Sequence, residues 1–186
     1  EPIAAAIEDI DGVIFVAAGA IGPRGSALWP HKATLELSDR KVDYLLVPEE
    51  EPKAADGKRT ASWLGIVAHE FGHLLGLEDK YEDKAAKVDR WCLMGTGYLS
   101  DKGELPMPLC GVCRERLGWA AAGSIDASVV DRLSIGPGEL ARIAVNTGGS
   151  ESLMLEMREV GPLLVWHTGG DKPIALAALL SSKDTD

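Results

Sequence analysis

No apolar run in the 186 residues approaches the length that crosses a bilayer, and Ile174 to Leu180 is too short for it. Clusters of Lys or Arg are missing as well, and the formal net charge of −10 argues against a nucleic-acid-binding surface. Cysteine is scarce: Cys92, Cys110 and Cys113 are an odd, small set that argues against a disulfide scaffold. No internal repeat or low-complexity segment is visible. The chain opens at Glu1-Pro2 without a signal peptide, which suits a trimmed secreted protein as well as a cytosolic one.

What remains is the composition of a soluble globular protein, 46% hydrophobic and 26% charged, with enough length for one sizeable domain or a domain with an appendage. Within it, one stretch carries chemistry: His69-Glu70-Phe71-Gly72-His73-Leu74-Leu75-Gly76-Leu77-Glu78-Asp79. Two histidines four apart on a helix project from one face and can share a tetrahedral metal. Glu70, between them, can accept a proton from water on the metal's open side. Gly76 ends the helix and turns the chain back, which brings Asp79 within reach as a third ligand. By chance alone a bare His-Glu-x-x-His pattern arises in a chain of this length about once in a few hundred.

The helix is expected from Thr60 or Ser62, either of which can cap it, to about Leu75. Its many apolar residues, Trp63, Leu64, Ile66, Val67, Phe71, Leu74 and Leu75, predict burial on most sides. Gly65 and Gly72 each cost about 1 kcal/mol of helix propensity relative to Ala, so a close neighbour should compensate. Upstream, Asp11 to Ala18 reads as a buried strand stopped by Gly19, and Val42 to Val47 as a second strand ending at Pro48. Gly22 to Gly25 and the charged run Glu49 to Gly57 read as loops, and Pro30 holds Trp29 extended. His31 has the default reading of a hydrogen-bonded structural residue, with a place beside the metal as the alternative.

Downstream, Tyr81 to Asp89 reads as a short helix or an excursion, and Trp91 to Gly97 as an apolar cluster running into a turn. Pro108 to Leu117 suits a second helix closed by Gly118, with Trp119 as a core anchor. Cys110-Gly-Val-Cys113 has the spacing of a redox or zinc-ligand pair but lacks a second pair; its cysteines are read as packed and reduced, with a short disulfide or a metal contact as alternatives. After Gly123, the runs Ser128 to Ile135, Leu140 to Val145, Ser152 to Arg158 and Leu163 to Trp166 predict a small antiparallel module. The expected organisation is α+β: a catalytic domain over 1–122, with a mixed sheet and the active-site helix, and a small β-rich module over 123–186.

These residues resemble the immune inhibitor A family of secreted bacterial zinc metalloproteases. The resemblance is carried by Ala68 to Tyr81, Trp91-Cys92-Leu93-Met94, Leu117-Gly118-Trp119, Leu153 to Arg158 and Leu163 to His167, in the family's order, with Gly12 to Gly19 and Trp29-Pro30-His31 upstream. It implies a metzincin-like fold, an extracellular location and Zn²⁺ held by His69, His73 and Asp79, with Glu70 as general base. Met94 would lie in the turn beneath the metal. By residue type, Tyr98, Tyr81 and His31 are candidates to meet the oxyanion or substrate, although Tyr98 follows Met94 at a wider gap than such proteases show. The implied partner is a protein or peptide, with no nucleic acid and no membrane. A propeptide and accessory domains would lie outside this chain, and a structural Ca²⁺ is compatible with the sequence, although no residues are assigned to it. The expected reaction is peptide hydrolysis; the alternatives are a catalytically silent binding or adhesion module that keeps the fold, and a zinc hydrolase acting on another bond.

Overall fold

The structure, a computed structural model, describes residues 10–20, 28–50, 56–57, 63–80, 89–126, 128, 132–145, 150–159, 161–169 and 175–180. Several expectations fall outside these residues: the loop at 22–25, the caps at Thr60 and Ser62, most of the 81–89 segment and the turn at 146–149. The chain forms two compact units. One comprises Glu1–Asp79 with Thr96–Met107, the other Lys80–Gly95 with Pro108–Asp186. The stretches 80–95 and 108–122, read above with the catalytic domain, are therefore grouped with the C-terminal strands.

The first unit has a three-stranded mixed sheet of β1 (Gly12–Ala20), β2 (His31–Glu36) and β3 (Lys41–Glu50), in the order β1-β3-β2. β1 runs parallel to the central β3 and β2 antiparallel to it. Burial concentrates on β3, through Val42, Leu45 and Val47, because it alone has strands on both sides. β1 is not buried on both faces as its apolar run suggested. Ile14 and Val16 are exposed, while Phe15 on the other face meets the Tyr44 ring edge-on at 5.5 Å. Gly19 does not end this strand; at φ +99° it sits in a register shift between Ala17 and Ala20, where the ladder slips and then resumes. β3 likewise runs past Pro48, whose carbonyl accepts a 2.6 Å hydrogen bond from the Trp63 indole N–H.

That bond ties β3 to the start of helix α1 (Trp63–Leu74). The helix is less enclosed than its composition predicts: its buried residues are Gly65, His69 and Gly72, while Leu64 and Phe71 face solvent. The two glycines and His69 follow one another at helical spacing, so the buried stripe is built from residues that permit close approach. The neighbour is the 3-10 segment Thr96–Gly103, whose Tyr98 carbonyl would lie 1.9 Å from a Cβ at position 65. This contact supplies the compensation expected at Gly65.

In the second unit, helix α2 (Gly111–Arg116) precedes a sheet of β4 (Gly123–Ile125), β5 (Leu140–Ala144), β6 (Ser152–Met157), β7 (Leu163–Thr168) and β8 (Ala175–Leu180), in sequential order. Three of the expected strands are present, but the module is not wholly antiparallel: β4 pairs parallel with β5. Ser128 and 132–135, expected as strand, are outside any strand.

The inward side of β6 carries Ser152, Met154 and Glu156. Glu156, 1% exposed, accepts hydrogen bonds from the Gly111 N–H at 2.8 Å and the Trp166 indole at 2.7 Å, with the Arg158 and Arg114 guanidiniums 3.2 and 3.4 Å away. A buried carboxylate is tolerated here because donors surround it. A Cβ at Gly111 would come within 2.6 Å of the Leu140 side chain, which would have to shift to admit it. Trp119 corrects the expectation of a core anchor, being 62% exposed. Its N–H closes α2 on the Arg114 carbonyl. Among the described residues no helix is long and apolar enough to cross a membrane.

Candidate metal centre

Helix α1 presents His69 and His73 one turn apart, with ring centroids 4.9 Å apart and planes nearly perpendicular. Its end is set by Gly76 at φ +85°, where the Gly76 N–H bonds the His73 carbonyl and the Leu77 N–H the Gly72 carbonyl, both at 3.0 Å. This paired closure requires the left-handed conformation that glycine adopts without strain. The chain then doubles back, and Asp79 Oδ1 comes to rest 3.0 Å from His69 Nε2 and 3.2 Å from His73 Nε2.

The tautomer of His73 follows from its other nitrogen. Nδ1 lies 2.8 Å from the Leu77 carbonyl, which can only accept, so Nδ1 carries the proton and Nε2 of the neutral ring is a bare lone pair. That lone pair faces a carboxylate oxygen. Asp79 Oδ1 is buried and has no hydrogen-bond partner, an arrangement that is costly unless a cation sits between the donors. The three donor atoms lie within 4.8 Å of one another. Bonds of 2.0–2.2 Å in a tetrahedral zinc site put neighbouring donor atoms about 3.3–3.6 Å apart, a little beyond the 3.0 and 3.2 Å between Asp79 Oδ1 and the two histidine nitrogens. His69 is buried, whereas His73 and Asp79 are partly exposed, so the donor set has an open side. Two imidazoles and a carboxylate fit Zn²⁺ in number, type and spacing.

Glu70 borders these donors. Burial pushes its carboxyl up to about 7 in the metal-free chain, a rise opposed by His73, reinforced by the negative Asp79 and opposed again by His31 and by a hydrogen bond from the Lys32 backbone N–H. The first residues of β2 are therefore close enough to act on Glu70. His31 is hydrogen-bonded as its default reading expects, its Nδ1–H donating to the Trp29 carbonyl at 2.6 Å, and it acts electrostatically on Glu70. Tyr98 packs its ring 4.7 Å from that of His69, a neighbour that its distance from Met94 in the chain did not suggest. Leu77 and Lys32 were not singled out by sequence, because they act through backbone atoms. Only the Gly76 turn signalled the Leu77 contact.

Met94 is fully buried in the second unit, where its carbonyl accepts the Lys80 N–H at 2.7 Å. Tyr81 lies outside the described residues.

The catalytic-domain model of the immune inhibitor A peptidase M6 family matches residues 18–111, which include all of these donors. No curated protein and no solved structure matches the chain.

Proposed function

The chain belongs to the immune inhibitor A peptidase M6 family, and from that premise we propose that it is a zinc-dependent endopeptidase, with His69, His73 and Asp79 as metal ligands and Glu70 as general base. The observation that carries the reading is the buried Asp79 Oδ1, which has no hydrogen-bond partner and faces the Nε2 atoms of both histidines. When bound, Zn²⁺ supplies Lewis acidity toward the scissile carbonyl and lowers the pKa of water toward neutrality.

The protein's own part begins with Glu70, whose carboxylate takes the proton of the attacking water and returns it to the leaving amine. A carboxyl raised by burial is suited to both halves of that transfer near neutral pH. Leu77 holds the His73 ring by its Nδ1–H, and Tyr98 packs on His69, so both imidazoles are oriented from outside the donor set. His31 spends its Nδ1–H on Trp29, so it can donate to a developing oxyanion only from a protonated Nε2. Among the described residues β2 pairs only with β3, and its other edge, close to Glu70, suits an extended peptide bound as an added strand. The family resemblance supports an extracellular location and a peptide substrate.

Digestion of a denatured proteome is the test. The zinc-loaded chain should generate new peptide termini, chelator should abolish them, and Asp79→Ala should weaken zinc binding at this site by about tenfold or more. A zinc-loaded chain that cleaves no peptide bond would replace this reading with that of a silent binding module.

A further inference from the structure

We propose that Cys92, Cys110 and Cys113 form a second metal site, which takes one thiophilic cation of the zinc class. Nothing in the peptidase chemistry uses these residues. Cys92 comes from the turn after Trp91, and Cys110 and Cys113 from the start of α2, yet their three sulfurs converge within 4.8 Å of one another. All three residues are buried, at 0%, 0% and 2% exposure.

The spacing is that of a shared ion. Cys92 Sγ to Cys113 Sγ is 3.9 Å and Cys110 Sγ to Cys113 Sγ is 3.6 Å. Zinc–sulfur bonds of 2.3 Å at the tetrahedral angle place neighbouring sulfurs about 3.8 Å apart, between these two distances. A disulfide would join only two of the three and strand the third, whereas one cation uses all of them.

The backbone is arranged to support a thiolate as well. The Cys110 N–H points at Cys92 Sγ from 3.3 Å, and the Met94 N–H donates to the same sulfur. Hydrogen bonds of this kind fix a ligand's orientation and stabilise its thiolate form. Binding releases three thiol protons, so a dication with three thiolates carries one net negative charge, which the Lys80 ammonium, whose field reaches Cys113, is placed to offset. The ion would join the turn at Cys92 to α2, both in the second unit.

Cobalt distinguishes this site from the histidine site, because only thiolate ligands give an intense near-ultraviolet sulfur-to-cobalt charge-transfer band. The full chain loaded with Co²⁺ should show that band and hold about two metal ions, one per site. His73→Ala should keep the band while lowering the metal content, and Cys113→Ser should lose it. A cobalt-loaded wild-type chain without the band would overturn the proposal, as would an intact mass two hydrogens low from an oxidised cysteine pair. The wild-type spectrum decides even if Cys113→Ser does not fold. In it, chelation should also expose all three thiols to alkylation that the metal-loaded chain resists; equal reactivity with and without metal would contradict the site.

Discussion

The two donor clusters found among the described residues differ in what they leave open. His69, His73 and Asp79 sit at the end of α1 and its return loop, with two of three donors partly exposed, whereas Cys92, Cys110 and Cys113 are buried completely. Catalytic zinc sites keep a position for water and substrate, and structural ones close around the ion. The contrast extends to how each unit is held. The first relies on glycines that bring backbone against helix, and the second on a buried carboxylate ringed by donors.

The largest expected effect breaks the second of these devices. Glu156→Ala leaves the Trp166 indole and the Gly111 N–H without their acceptor and the two guanidiniums without their counter-charge, and should cost about 3–5 kcal/mol in chemical denaturation. If that unit is held mainly by apolar packing instead, the loss will be under about 1 kcal/mol.

Gly65→Ala tests the first device. The added Cβ would meet the Tyr98 carbonyl at 1.9 Å, a backbone atom that can yield only if the 3-10 segment moves. Stability should fall by about 1–3 kcal/mol, despite the better helix propensity of Ala, and peptidase turnover should fall with it because the Tyr98 ring leaves His69. Unchanged stability would mean that α1 and the segment are not in close contact.

A smaller effect comes from Glu70 in the metal-free chain. Its carboxyl is raised from 4.5 to about 7, so between those values the folded state keeps a proton that the unfolded chain has lost. The folded state therefore bears no penalty from this group below pH 4.5, and stability declines as pH rises toward 7. Glu70→Gln should flatten that decline, measured by denaturation with chelator present at both ends of the window. A variant with the wild-type slope would place the carboxyl in ordinary solvent.

Much of this was legible in the sequence wherever the signal was local. Gly76 and Gly118 each mark a helix end, because the left-handed closure is decided within one turn. Three strands of the second sheet, and the two outer strands' neighbour β3, follow from short apolar runs. Facing is another matter: on β6 the sequence alternates Leu153 and Leu155 with Ser152, Met154 and Glu156, and it is the second set that is buried. Only the partners across the fold, Gly111, Arg114, Arg158 and Trp166, make that choice, and none is near in sequence to all of the others. Tyr98 beside His69 and the convergence of Cys92 on Cys110 and Cys113 are long-range in the same way. Trp119 misled for the opposite reason, since hydrophobicity says what burial would gain and not whether a partner is present.

The central claim is that Glu70 activates water at a metal held by its neighbours. Zinc content and peptide hydrolysis measured together on Glu70→Gln test it most directly: the variant should keep wild-type zinc and lose about 10²–10⁴-fold in kcat/KM. Wild-type hydrolysis by a zinc-loaded Glu70→Gln chain would contradict the account.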